Sequence, residues 1–390
     1  MSLSRRSLLT GLTTLAAAAC KPKGQGTSPS GSASPLSTTG PIVIGHYASM
    51  TGSKAHFGQD TDKAARLFVD EVNAKGGVKG RQLKLVTLDT RGDSAEAANA
   101  VSRLIDVEGA LAIIGEVAST LSLAGGRVAQ RRQRPMVSPS STNPKVTEVG
   151  DYIFRVCFID PFQGKVMANF ARNNLKFDKV AILRDVKSDY SIGLADVFRA
   201  SFTALGGTIP VEQSFGAGDT DFSAQLTAIK GTASQAIFVP GYYSEVGGIA
   251  RTAQRLGLKL PLLGGDGWDA PDLVKIAGDS LNGSYYSNHF APDVATPRAQ
   301  KFMADFKAKY GVDPTGLGAL GYDAIGVLVD AMNRAATITP STIRDGLTQV
   351  KDFDGVTGTI TIDAERNAQK SAVVLKIDNG QPKFEANVRP

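Results

Sequence analysis

The sequence predicts an α/β protein of two lobes, each with a parallel central sheet and helices on both faces. Three observations predict it. The chain has 390 residues, more than a single hydrophobic core usually serves. From residue 41 onward, short apolar strand patterns alternate with amphipathic helix patterns, joined by Gly-rich turns. A block reading helix, Gly-Gly, strand, Asp-bearing cap, helix also occurs twice, about 130 residues apart. With 42% apolar and 21% charged residues, a packed core is expected.

The first forty residues stand outside that pattern. Ser4-Arg5-Arg6-Ser7-Leu8-Leu9 matches a twin-arginine export consensus, and a mild apolar stretch over residues 8–19 is too short to span a bilayer. Residues 1–19 therefore read as a signal. Ala17-Ala18-Ala19-Cys20 resembles a lipobox with Cys20 as the lipidated residue. Ala17 stands where Leu is preferred, so an ordinary signal-peptidase site is the alternative. Residues 20–40 are almost wholly Lys, Pro, Gly, Gln, Thr, Ser and Ala, a flexible tether with a reach of about 25 Å. The net charge of +6 contracts accordingly: beyond residue 41 there are 39 basic and 37 acidic residues, a net of +2, so nucleic acid is not an expected partner.

Residues 41–45 are a buried-strand pattern. Residues 60–73 are helical, with Ala65, Phe68, Val69 and Val72 on one face and Gly76-Gly77 as the stop. Residues 82–89 alternate as a strand. Asp93-Ser94-Ala95-Glu96 reads as a capping box ahead of the stripe Ala97, Val101, Leu104 and Ile105. A strand at 110–114, a helix from Ser119 and a strand at 135–138 complete the first run. The grammar restarts near Lys179 with a strand at 180–183, a helix at 192–205, a strand at 208–213 and a further helix after Phe222.

Motifs for catalysis are poor. His46, His56 and His289 form no metal-binding pattern, so neither a metal nor another cofactor is expected. His46 reads as a partly exposed strand-end residue. Gly316-Leu317-Gly318-Ala319-Leu320-Gly321 fits G-x-G-x-x-G but follows a Pro-containing loop rather than a strand, so close helix packing explains it better than a phosphate cradle. Arg127, Arg131, Arg132 and Arg134 read as a solvated helix end. Cys157, within apolar residues, reads as a buried inert thiol.

A series of segments carries a resemblance. It runs through Ile44-Gly45, Met50-Thr51-Gly52, Asn73-Ala74-Lys75-Gly76-Gly77-Val78-Lys79-Gly80, Phe154-Arg155 with Asp160, and Gly218-Asp219-Thr220-Asp221-Phe222. It continues through Gly241-Tyr242-Tyr243, Gly264-Gly265-Asp266-Gly267, Gly321-Tyr322-Asp323-Ala324 and Gly355-Val356-Thr357-Gly358. In this order and spacing the chain, over about residues 41–385, resembles the type I periplasmic solute-binding proteins of branched-chain amino acid ABC transporters, the Leu/Ile/Val-binding group. The resemblance implies two Rossmann-like lobes joined by three crossing strands, placed near Asp160, Asn288 and Gly358. Lobe 1 is then expected at 41–160 plus 289–358, and lobe 2 at 161–288 plus 359–386.

The resemblance also implies a ligand site. Ser119 matches the serine for the ligand α-carboxylate; a Ser opening a helix after a strand offers a hydroxyl and free N–H groups in a positive dipole field. Ser140 and Thr142 match positions holding both ends of a zwitterion, and Tyr190 and Tyr242 match aromatics that close over it. Asp266 matches the acid for the ligand ammonium, where Glu is usual. Phe57 matches a bulky aromatic near the ligand side chain, and Trp268 is read either at the rim or as a packed surface anchor. Ala118 stands where some members carry a disulfide-forming Cys.

The function so implied is an extracytoplasmic, non-catalytic receptor, periplasmic or at the cell surface. It captures an amino acid, branched-chain or otherwise apolar, and delivers it to an ABC permease in the membrane, to which a lipid on Cys20 keeps it close. The alternatives are another small polar ligand (an aromatic acid, amide or urea), a sensor reporting to a signalling partner, and an enzyme using Asp266 as a general acid-base.

Overall fold

The computed structural model describes residues 40–294 and 296–388. The export signal, the tether and Cys20 lie outside the described residues.

The first run of elements is β1 (Ile42–Ala48), α1 (Ala55–Ala74), β2 (Leu83–Asp89), α2 (Ser94–Asp106), β3 (Ala112–Ile114), α3 (Ser119–Arg131), β4 (Met136–Ser138), α4 (Lys145–Glu148) and β5 (Ile153–Arg155). Its five strands are all parallel, in the order β2-β1-β3-β4-β5. Right-handed crossovers that travel in opposite directions along a sheet emerge on opposite faces. Hence α1 lies on one face, where it packs against a later helix, while α2 and α3 pack together on the other. Asp93 Oδ1 accepts from Ala95 N at 2.8 Å and Glu96 N at 3.0 Å, the capping half of the expected box. Helix α1 begins at Ala55, ahead of the Asp60 expected from the sequence, because Lys54 supplies no side-chain cap to mark its start.

The second run is α5 (Asp160–Asn169), β6 (Val180–Asp185), α6 (Asp189–Ala204), β7 (Glu212–Phe215), α7 (Ser223–Lys230), β8 (Ala236–Phe238), α8 (Tyr243–Arg255), β9 (Leu262–Gly264), α9 (Pro271–Ala277) and β10 (Tyr285–Asn288). The strand expected at 208–213 forms later, as β7. Thr208 makes an isolated bridge with Lys179, and Pro210 has no N–H to extend it. The parallel strands run β7-β6-β8-β9-β10, the same order as in the first sheet, and the repeat read from the sequence is a repeat of topology.

The chain then returns through α10 (Pro297–Tyr310), α11 (Gly316–Arg334) and α12 (Pro340–Leu347), followed by β11 (Phe353–Gly355), β12 (Gly358–Ile362) and β13 (Ala368–Gln369), a three-stranded antiparallel sheet. It ends in β14 (Val373–Asp378), which pairs antiparallel with β10, and β15 (Gln381–Asn387), which pairs antiparallel with β14 at the edge of the second sheet. Helix α11 covers α1. A Cβ on Gly318 would stand 2.3 Å from Asp60 Oδ2, and one on Gly321 2.9 Å from the Thr61 backbone, so the G-x-G-x-x-G match is a close-packing surface inside a helix. Strands β12 and β13 remain beside the first sheet. Ile362 N donates to Val350 O at 3.0 Å, Arg155 N to Arg366 O at 3.2 Å, and Thr147 Oγ1 to Asn367 Oδ1 at 3.0 Å. The third passage between sheets therefore falls between β13 and β14, not near Gly358.

Other sequence readings are settled by burial. His46 is inside β1 and buried, with Nδ1 3.1 Å from Asp62 Oδ1, rather than partly exposed. Arg132 pairs with Asp106 at 2.9 and 3.1 Å at the exposed end of α3. The Cys157 thiol is fully buried, and burial pushes its pKa up to about 12. No helix among the described residues is long and apolar enough to cross a membrane.

Candidate functional site

In an open parallel sheet, ligands meet the carboxyl ends of the strands where the strand order reverses. Here that point lies between β1 and β3 in the first sheet and between β6 and β8 in the second. Ser119 follows β3, Ser140 and Thr142 follow β4, Tyr190 and Tyr242 follow β6 and β8, and Asp266 follows β9. These are carboxyl-end positions of both lobes, and contacts join them into one network.

On the first lobe, Ser119 opens α3, where backbone N–H groups have no intrahelical acceptor. Its Oγ accepts from Asn143 N at 3.3 Å, which ties it to the loop carrying Ser140 and Thr142. That loop is braced from below. Arg155, fully buried, donates to Ser141 O at 2.5 Å, Pro144 O at 3.2 Å and Thr147 Oγ1 at 3.1 Å. A buried carboxylate, Glu116, holds the neighbouring turn. It accepts from Ser49 at 2.6 Å, Thr90 at 3.0 Å and Ala118 N at 2.8 Å, while its carbonyl accepts from Ser122, Ser138 and Ser141. The hydroxyls of Ser140 and Thr142 are buried and have no hydrogen-bond partner in the protein.

From the second lobe, Asp266 is buried and receives three donors. Gln163 Nε2 at 3.1 Å and the Tyr190 hydroxyl at 3.0 Å meet Oδ1, and His289 Nε2 lies 3.1 Å from Oδ2. A carboxylate offers about four lone-pair sites, so one remains for an incoming N–H. Gln163 Nε2 also reaches Asp160 Oδ1 at 2.8 Å, bridging two carboxylates. Burial, reinforced by the Asp266 charge and opposed by the neighbouring Thr142 hydroxyl, pushes the Asp160 pKa up to about 7, and no protein group meets its Oδ2 at hydrogen-bond geometry. The Tyr190 ring stacks on Tyr242 at 5.2 Å, and both hydroxyl pKa values are raised by burial.

The two lobes touch across the cleft. Phe57 packs edge-on against Tyr242 at 5.9 Å and Tyr243 at 4.9 Å. The Thr120 hydroxyl donates to Asp189 Oδ2 and accepts from Asp189 N, each at 3.1 Å, and Asn143 Nδ2 donates to Asp189 O at 2.7 Å. The side chains at its centre are buried.

Seven of the eight cleft residues expected from the sequence lie in this network: Phe57, Ser119, Ser140, Thr142, Tyr190, Tyr242 and Asp266. Trp268 does not. Its indole N–H donates to Val239 O at 3.0 Å and its ring lies near Tyr286. Gly264 leaves it room, since a Cβ there would stand 2.1 Å from the indole. Trp268 is therefore an anchor inside the second lobe, not a rim residue. Sequence reasoning missed Gln163, Glu116 and the role of His289. Only their long-range partners reveal them, and no local spacing signals those.

Chemically, the centre offers hydroxyls, a helix N-terminus and two carboxylates, Asp160 beside Thr142 and Asp266 from the second lobe. This is a binding surface for a small molecule with a negative and a positive end.

Comparison with known proteins agrees in scale and fold. The profile of the family described as periplasmic binding protein matches residues 41–381. A Leu/Ile/Val-binding protein homolog 2 of Brucella abortus (strain 2308) is 31% identical over 338 residues, covering 86% of this chain and 89% of that one. The crystal structure of a leucine binding protein, LivK, from Thermotoga maritima superposes with a TM-score of 0.86 at 43% identity, over 90% of this chain and 99% of that one. LivJ from Streptococcus pneumoniae, a branched-chain amino acid transporter substrate binding protein solved with isoleucine, gives 0.86 at 36% identity, over 90% and 100%. With its topology, its closed interlobe site and a family match spanning nearly all the described residues, the chain belongs to the periplasmic binding protein family.

Proposed function

We propose that this protein is the extracytoplasmic receptor of an ABC transporter, capturing an apolar amino acid, branched-chain foremost, in the interlobe cleft without turning it over. The observation that carries this reading is the set of buried polar atoms without protein partners at the centre of the closed network: Ser140 Oγ, Thr142 Oγ1 and Asp160 Oδ2. Hydroxyl donors and the start of α3 suit a ligand carboxylate; Asp160 and Asp266 suit an ammonium. Phe57 and Tyr242 supply an apolar wall. The names of LivK and LivJ support the same ligand class. In this reading the lobes divide at the three passages between sheets, the membrane permease reads the closed state, and the export signal and Cys20 place the protein outside the cytoplasm on a lipid anchor.

Calorimetric titration against the twenty amino acids tests the reading. Leucine, isoleucine or valine is expected to bind with a micromolar or tighter constant, a free energy of about −8 kcal/mol or better. Ser119→Ala is expected to weaken that binding by roughly tenfold, the worth of one charge-assisted hydrogen bond. Silence to every amino acid, with binding of benzoate or urea instead, would replace the amino-acid reading by a different solute.

Closure itself is open to test through Thr120. Thr120→Val keeps the shape and removes the hydroxyl that bonds Asp189 twice. Leucine affinity is expected to fall by about fivefold, in line with one net hydrogen bond across the cleft, while the melting temperature of the unliganded protein stays put. A large drop in that melting temperature would mean that Thr120 serves the fold rather than closure.

A further inference from the structure

We infer that His289 is a positioning residue for the ligand-facing carboxylate: from the crossing segment behind the cleft, its Nε2–H holds Asp266 Oδ2 and so fixes the plane in which that carboxylate meets a cation. The inference rests on the reading of Asp266 as the acceptor of a ligand ammonium. Three observations carry it. The His289 side chain is wholly buried, and its Nε2 lies 3.1 Å from Asp266 Oδ2. Its ring stacks on Phe158 at 3.6 Å between centroids and 25° between planes, so it cannot swing away. Phe158 lies between β5 and α5, in the first passage between the lobes, and His289 follows β10, in the second. The clamp therefore joins two crossing segments and delivers their position to Asp266.

Gln163 and Tyr190 both meet Oδ1. His289 alone engages the other oxygen among the protein donors described.

The charged and titratable groups facing the ring are Asp266, on the turn after β9, and the Lys370 ammonium, between β13 and β14. Lys370 in turn is bonded to Thr357. Burial outweighs the favourable Asp266 charge, Lys370 opposes protonation as well, and the imidazole pKa falls below its ordinary value. The ring is thus neutral near pH 7, and a neutral ring that faces a carboxylate carries its proton on Nε2. When acid protonates Nδ1, a full positive charge arises beside Asp266 and competes with a ligand ammonium. Affinity should therefore decline as the pH falls through the His289 titration, and ligand binding should in turn lower the His289 pKa. Asp160 titrates higher and in the same sense, since its ionised form favours the ammonium. The two are separated by substitution.

The test uses leucine titrations of the mature protein at several pH values between 5 and 8, with His289→Gln and His289→Ala. Gln can donate to Asp266 but does not titrate. At pH 7.5, Ala is expected to weaken binding about tenfold and Gln no more than about threefold, the difference being one charge-assisted hydrogen bond. As the pH falls through the His289 titration, the wild type is expected to lose more affinity than Gln, which retains only the Asp160 limb. Nuclear magnetic resonance of the unsubstituted protein gives a second readout, in which leucine should lower the His289 pKa by about one unit, the linkage of a tenfold effect. Gln as weak as Ala, identical pH profiles for Gln and wild type, or a His289 titration indifferent to leucine would each overturn the inference. A wild type that ignores leucine and every other amino acid at all pH values would instead overturn the amino-acid reading beneath it.

Discussion

Replacing Asp266 by alanine is expected to weaken leucine binding by two orders of magnitude or more, while the fold persists. The carboxylate is buried and collects Gln163, Tyr190 and His289, and in the proposed reading it receives the ligand ammonium. Removing one member of a closed, water-free charge pair costs about 2–5 kcal/mol, which is roughly 30-fold to several thousandfold in affinity. Asp266→Asn should fall nearly as far despite its equal size. It carries no charge for the ammonium, and its amide donors would face those of Gln163 and His289 on at least one side. Calorimetry reads the loss, and a melting curve of the unliganded variant separates it from unfolding. An affinity within about fivefold of wild type would remove Asp266 from the role of ammonium acceptor, because no partly exposed ion pair of ordinary strength is worth more than about 1 kcal/mol.

The second large effect is expected at Arg155, and it is an effect on stability. The guanidinium is buried, and burial holds its pKa below the ordinary arginine value. It nonetheless satisfies two carbonyls and a hydroxyl of the loop that carries Ser140 and Thr142. Arg155→Met retains most of the volume but leaves those acceptors to other partners or to none. Each buried unsatisfied group costs about 1–3 kcal/mol, and because the three share one loop that can relax, a total of about 3–5 kcal/mol is expected. Arg155→Lys should rescue little, since one ammonium cannot span three acceptors arranged for a planar fork. Urea or thermal unfolding measures this, and a loss below about 1 kcal/mol would show that the loop is held by its own backbone instead. Leucine affinity should decline in the same variant, since the loop presents the two hydroxyls.

How much of this was legible in the sequence follows from the range over which each feature acts. Strand and helix order came through because apolar periodicity and Gly-Gly stops are local, and α2 and α3 begin where their cues stand. The starts of α1 and β7 were misplaced where local cues fail: Lys54 is not a capping residue, and Pro210 interrupts a β-like stretch. The cleft residues were legible chiefly through the family resemblance; position after a strand supports Ser119, Ser140 and Thr142 but not Phe57, which lies inside α1. Trp268 stayed open between rim and packed anchor because the direction of a side chain on a one-turn helix depends on what lies behind it, here Gly264 and Tyr286. Gln163 and His289 were invisible as site residues, since their partner Asp266 lies 103 and 23 residues away along the chain.

The covering of α1 by α11 has one more consequence, for the order in which the protein can be completed. The Asp60 carboxylate receives Thr315 N and its hydroxyl across a separation of 255 residues. Strands β6 to β10, by contrast, come from one uninterrupted stretch. A ribosome that has just released β10 has therefore delivered every parallel strand of both cores, yet left the first half-clad, with the side of α1 that meets α11 still bare. Long closures of this kind are entropically slow to make. The earliest-made part of the described chain is thus among the last to be finished, and whatever handles the nascent protein meets an apolar helix face until α11 arrives.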